Sequence, residues 1–153
     1  MEMTGEQLIP QSQDVTWKAL NDTAILKACI PGCESIEQTG DNEYQLVMLA
    51  KVGPVSAKFK GKMTLSDIVP PQSYRLAFEG QGGVAGFAKG EASVHLSPQD
   101  DGTKLAYAAN AMIGGKLAQV GSRLIDGVAK KIAGEFFTAF NTHVSALASG
   151  GKK

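Results

Sequence analysis

Side chains able to ligate or catalyse are scarce in this chain. It has 2 histidines and 2 cysteines in 153 residues. That is too few for the clustered His and Cys sets that hold zinc, HExxH is absent, and no metal site is expected. His95 falls on the polar side of a predicted strand. His143 lies near the end of a predicted helix, where the helix dipole favours a cation. Neither has a second histidine at metal-type spacing. Cys29 and Cys33 flank Ile30-Pro31-Gly32, which is neither the CxxC redox spacing nor half of a standard zinc pair, so both read as free thiols. Net charge is lacking too. The count of 15 basic residues equals the 15 acidic ones, so no global field attracts nucleic acid or anionic lipid. No run of ~18 apolar residues occurs, and Met1 to Pro10 has neither a basic flank nor an apolar core. A membrane span and an export signal are therefore not expected, and the cytoplasm is the expected location.

What the chain does have is pattern. Its length suits one domain, read as 1–148, with 149–153 as a disordered tail. Thr4 to Ile9 reads as a weak strand closed by Pro10. Two short helices follow, one through Trp17 and Leu20 capped by Ser12 or Asp14, the other over Ala24 to Cys29. From Ser35 the period is two. Strands are predicted over Ser35 to Gln38, Glu43 to Val52, Val55 to Leu65, Tyr74 to Phe78, Ala88 to Leu96 and Leu105 to Ile113, with glycine or proline turns between them. Phe59, Gly61, Met63 and Leu65 alternate with Lys58, Lys60, Lys62 and Thr64, which gives one buried face and one wet face. Gly114 to Leu147 then reads as one long amphipathic helix with Leu124, Val128, Ile132, Phe136 and Phe140 on its apolar side. The predicted class is α+β: a curved antiparallel sheet of about seven strands, two short helices after strand 1, and a long C-terminal helix that the sheet wraps.

Several inward positions are small, among them Ala57, Gly61, Ala88, Ala92 and Ala109 on strands and Gly121 on the helix. They allow either close approach of sheet and helix or an apolar cavity between them, and the pattern does not separate the two. Gly80-Gln81-Gly82-Gly83-Val84-Ala85 matches a loose GxGxxA fingerprint, but a strand rather than a helix follows it, so it reads as a hairpin turn. Lys51, Lys58, Lys60 and Lys62 make a basic strip, read as a solvated face or as a dock for an acidic partner. The outer side of the long helix carries Arg123, Asp126, Gly127, Lys130 and Gly134. These are candidates for contact with a protein partner, and Asp126 and Lys130 form a favourably ordered i,i+4 pair that a merely solvated helix would also show.

The segments ALNDTAILKACIPGCESIEQTGDNEY, KVGPVSAKFKGK, GQGGVAGFAKGEASV and GGKLAQVGSRLIDGVAKKIAGEFF resemble the carbon monoxide dehydrogenase G-subunit family over about Met1 to Leu147. That family is a branch of the START-like (SRPBCC, Bet v 1-like) superfamily. The resemblance implies a helix-grip fold around a deep apolar cavity. It also implies association with a molybdenum hydroxylase of the carbon monoxide dehydrogenase type, a quinone or other apolar ligand in the cavity, no covalently bound cofactor, and no catalytic residue. Family members often continue into an apolar tail, whereas this sequence ends Ser149-Gly150-Gly151-Lys152-Lys153. The expectation is at most a peripheral contact with the inner face of the membrane.

On this reading the ligand is walled by Phe59, Met63, Leu76 and Phe78 from the middle strands and by Phe87 and Tyr107 from the later ones. Leu117, Gly121 and Leu124 would contribute from the helix, and Tyr107 is the polar handle for a carbonyl oxygen. Two rivals stand beside it. A cyclase or dehydratase of the same superfamily requires a titratable group inside, and Tyr107 is the one that the inward positions offer. A pure assembly factor requires a filled core.

Overall fold

Alternation decides how the strands face. The computed structural model of the chain describes the backbone of residues 1–151 and the side chains of 1–147. Strands β1 (Glu2–Ile9), β2 (Cys33–Gly40), β3 (Glu43–Val52), β4 (Val55–Val69), β5 (Ser73–Gln81), β6 (Phe87–Gln99) and β7 (Gly102–Gly114) form one seven-stranded sheet. Its order is β1-β7-β6-β5-β4-β3-β2, every pair antiparallel. Met63 pairs with Tyr44 on one side and Phe78 on the other, and Leu76 pairs with Leu65 and Ala92, so the predicted apolar set shares one face. The opposite face carries exposed ion pairs. Lys58 reaches Glu34 at 3.1 Å and Lys62 reaches Glu43 at 3.9 Å, so two lysines of the predicted basic strip are answered by nearby carboxylates. At such exposure each pair contributes about 0–1 kcal/mol.

Helices α1 (Gln13–Leu20) and α2 (Thr23–Cys29) are short and capped. Ser12 Oγ accepts from the Val15 N–H at 3.3 Å, and Asp22 Oδ1 accepts from Ala24 and Ile25 N–H at 2.9 and 3.3 Å. Together with the C-terminal half of α3 (Ser122–Gly151) they cover one end of the sheet. The core is densest there: Ile9, Thr16, Leu105, Phe140 and Val144 are fully buried. The N-terminal half of α3 differs, because no side chain from Ser122 to Phe136 is fully buried.

The long helix does not start where its pattern does. Gly115–Val120 is a 3-10 turn, and α3 begins only at Ser122. Gly121 between them has φ +98, a conformation open to glycine and strained for other residues. Its carbonyl accepts the first helical bond, from the Ile125 N–H at 3.2 Å. The turn is held against the β5–β6 connection by backbone contact. A Cβ on Gly86 would strike the Gly114 carbonyl, and one on Gly115 would strike the Gly86 Cα. α3 then runs on through 149–151, part of the segment expected to be a disordered tail, while 152–153 lie outside the described residues. No helix among the described residues is long and apolar enough to cross a membrane.

Candidate functional site

Between the concave face of the sheet and the N-terminal half of α3 the layers stand apart. The space is a pocket of about 470 Å³. α3 supplies Ala129, Ile132, Ala133, Phe136 and Phe137, and the two alanines keep the helix side low. α2 and the residues after it close one flank with Leu26, Ile30 and Pro31. The strands supply Met63, Leu76 and Phe78 together with Tyr44, Tyr74 and Tyr107, which are all 3 tyrosines of the chain.

No charged residue lines this pocket. Its polar lining residues are the three tyrosines and Asn21, whose amide donates to the Trp17 carbonyl at 2.9 Å. Tyr44 and Tyr74 are 6% and 7% exposed. None of the described side-chain hydrogen bonds uses a tyrosine hydroxyl. Two of the three rings are held by other rings. Tyr74 meets Trp17 edge-on at 5.4 Å, and Tyr107 stacks on Phe137 at 5.6 Å. Phe137 in turn meets Phe136 edge-on, and Phe136 stacks on Phe140 at 5.7 Å. Ring contacts thus hold Tyr74 and Tyr107, and the Tyr107 ring with its hydroxyl lies over Gly5 of β1.

Burial, and secondarily the neighbouring Tyr44, pushes the Tyr74 hydroxyl well above its ordinary pKa of 10.0. The folded chain therefore keeps this proton while the unfolded chain releases it. The corresponding stability is present in full below about pH 10 and is lost as pH rises further. Urea unfolding at pH 8 and pH 11 is expected to show a decline that Tyr74→Phe reduces, by up to about 1.4 kcal/mol per pH unit above pH 10. An identical decline in the variant would show that Tyr74 is not sealed from water.

A second pocket of about 340 Å³ adjoins the first and shares Met63, Leu76 and Phe78 with it. Phe59, Leu46 and Leu117 wall it, and Gly61, Gly80 and Ala88 form its floor. These three floor residues are register partners on adjacent strands, so a row of missing side chains opens the space.

The family model for the G subunit of carbon monoxide dehydrogenase (CoxG) matches residues 5–145. The chain belongs to the CoxG family. A search of curated proteins finds no match. Among solved structures, a conserved protein from Geobacillus kaustophilus is similar at 32% identity and a TM-score of 0.90, over 95% of this chain and 96% of that one. Zhui aromatase/cyclase from Streptomyces sp. R1128 is similar at 11% identity and a TM-score of 0.68, over 95% of this chain and 93% of its own. Ara h 8.0201 is similar at 16% identity and a TM-score of 0.67, over 95% and 98%. At these identities the last two show the fold alone, and the fold is the helix-grip, Bet v 1-like one expected of a CoxG-family protein.

The structure brings Met63, Leu76, Phe78 and Tyr107 to the larger pocket and Phe59 and Leu117 to the smaller. It places Phe87, Gly121 and Leu124 at neither. The Phe87 ring lies over Gly114, and Gly121 is an exposed break between turn and helix. Leu124, 38% exposed, packs on Gly53 at the β3–β4 turn, beyond the end of the pocket. A helix continuous from Gly114 would carry Gly121 and Leu124 to the wall, but the break at Gly121 turns them away, and Phe87 at the start of β6 folds over Gly114 instead. Arg123, Asp126, Gly127, Lys130 and Gly134 are all exposed along α3, and Asp126–Lys130 is not among the described ion pairs. Tyr44, Tyr74 and the α3 residues from Ala129 to Phe137 were not predicted as wall residues. The available signal was that both tyrosines sit at inward parity on their strands.

Cys29 is buried, Cys33 half-buried, and neither is in a disulfide. Burial raises both thiols above their usual pKa, opposite to the activation a reactive cysteine needs. No group of three or more His, Cys, Asp or Glu able to hold a metal ion occurs among the described residues.

Proposed function

We infer that this CoxG-family protein is a non-enzymatic accessory protein of a molybdenum hydroxylase of the carbon monoxide dehydrogenase type. It holds an apolar, quinone-like ligand between sheet and α3, and links the enzyme to the quinone pool at the inner face of the membrane. The observation that carries this reading is the character of the larger pocket: about 470 Å³, hydrocarbon and aromatic walls, no charged residue, and three tyrosines among the lining side chains. That volume suits a small organic ligand. An acid–base enzyme on the same fold would need a titratable group facing the ligand; no carboxylate, histidine or lysine lines the pocket, and the tyrosines are what such an enzyme would have to use. The exposed strip Arg123, Asp126, Gly127, Lys130 and Gly134 is the proposed contact with the hydroxylase. Its glycines leave the helix backbone open to close approach, since nothing lies within 4 Å of a Cβ built on Gly127 or Gly134.

The test is purification from the native cells, organic extraction, mass spectrometry of the extract, and titration with quinones. A co-purifying quinone and saturable binding are expected. Their joint absence would overturn the reading.

A further inference from the structure

We propose that the end of the molecule made by the β3–β4 turn, the β5–β6 connection and the start of α3 is a docking face for an acidic surface on the partner enzyme. The inference rests on the accessory reading and adds to it the face used and the charge of what that face meets.

The chain has formal net charge 0, with 15 acidic and 15 basic residues, yet the fold sorts charge by end. Antiparallel strands put alternate turns at opposite ends of a sheet. Contacts fix which turns share an end. Leu124 of α3 packs on Gly53 of the β3–β4 turn, and Gly115, ahead of α3, lies against Gly86 of the β5–β6 connection. Residues 51–56, 82–86 and 114–124 are therefore together. Their charged side chains are Lys51, Lys116 and Arg123, all exposed, with no carboxylate among them. None of the three is in a described ion pair. The hairpin turns at the other end, 40–43, 67–73 and 99–102, hold Asp41, Glu43, Asp67, Asp100 and Asp101 and no cation, and of these Lys62 answers Glu43. α3 begins at the cationic end, so its dipole adds in the same sense. The two groups of charges stand roughly 40 Å apart, the length of a 13-residue strand such as β6 at ~3.3 Å per residue. A molecule polarised in this way turns its cationic end toward a negative surface as it approaches, which raises the rate of productive encounter.

The make-up of this end favours a protein over a bilayer. Anionic membranes are held by clusters of about 4–8 Lys and Arg or by bulky apolar wedges. Here there are only three cations, and the one strongly exposed apolar side chain is Val84, at 86%. Nothing lies within 4 Å of a Cβ built on Gly83 or Gly121, so a partner's surface can come close to the backbone. Arg123 also starts the exposed strip of α3 proposed above to meet the hydroxylase, which makes the two surfaces continuous.

The experiment measures association of the full chain with the purified molybdenum hydroxylase of the same cells by surface plasmon resonance, from about 25 to about 500 mM salt. For the natural sequence the association rate should fall at least about tenfold across that range. Lys51→Glu with Lys116→Glu should lower the rate at low salt by about tenfold or more, and the difference should vanish at high salt. Lys60→Glu with Lys89→Glu makes the same change in net charge on the outer face of the sheet and should lower the rate by no more than about threefold. All four lysines are exposed, circular dichroism checks folding, and Lys51→Gln with Lys116→Gln serves if charge reversal disturbs the fold. Equal losses in the two pairs, or no loss in either, would overturn the docking face. If the first pair instead lost binding to vesicles of about 30% anionic lipid while hydroxylase association stayed unchanged, the face would belong to the membrane and the protein dock would fall. Failure of the natural sequence to bind the hydroxylase at any salt would remove the accessory reading beneath it.

Discussion

Ala133→Trp is expected to weaken ligand binding by about a hundredfold or more, equivalent to ~2.7 kcal/mol, while leaving the chain folded. Ala133 lines the larger pocket from the middle of α3, facing the strand tyrosines across the open space. An indole there would occupy volume that the ligand needs. Its effect on stability should be small, because trading alanine for tryptophan in a helix costs up to about 0.7 kcal/mol and the indole gains burial in space now unfilled. Glu135→Trp, two positions on and exposed, is the matched control and should leave the Kd within about twofold. Isothermal titration with the best-bound quinone measures both. Equal affinity in the two variants would place the ligand elsewhere.

Phe140→Ala is expected to destabilise the protein by about 3–5 kcal/mol, read as a lowered urea midpoint at unchanged slope. Phe140 is 0% exposed, stacks on Phe136, and belongs to the cluster that holds α3 against the sheet and the two short helices. Removing its ring leaves a cavity in tightly packed surroundings, unlike the pocket one turn earlier, where space already exists. Since domains of this size have about 5–15 kcal/mol in total, the loss is a large share. A cost under about 1 kcal/mol would mean that the C-terminal half of α3 is not packed as described.

The sheet was legible because alternation is a strong local signal. Phe59 to Leu65 reads as one face whatever the rest of the chain does, and its partners on β3 and β5 confirm the same parity. The break at Gly121 was not legible. Leu117 and Leu124 satisfy a helical period across it, and period alone is blind to a backbone angle that glycine permits. Gly121 and Leu124 lie outside both described pockets for that reason. The tyrosines show a different limit. Parity puts Tyr44 and Tyr74 inside, but whether an inward ring meets packed neighbours or open space depends on how far a helix stands off the sheet. It depends too on how little Ala129 and Ala133 fill from the helix side, far from Tyr44 in sequence. Likewise the pairing of β1 with β7, which brings Met3 to the pocket, joins the two most distant strands of the chain and has no local signature.

A helix tied at both ends can still be packed unevenly along its length. α3 is clamped by Phe140 and Val144, both 0% exposed, whereas from Ser122 to Phe136 it sinks no side chain completely and begins at a glycine joint. Bowing that first half away from the sheet would therefore forfeit less apolar contact than unfolding the domain. Local opening of this half can thus run on a separate energy scale from survival of the fold.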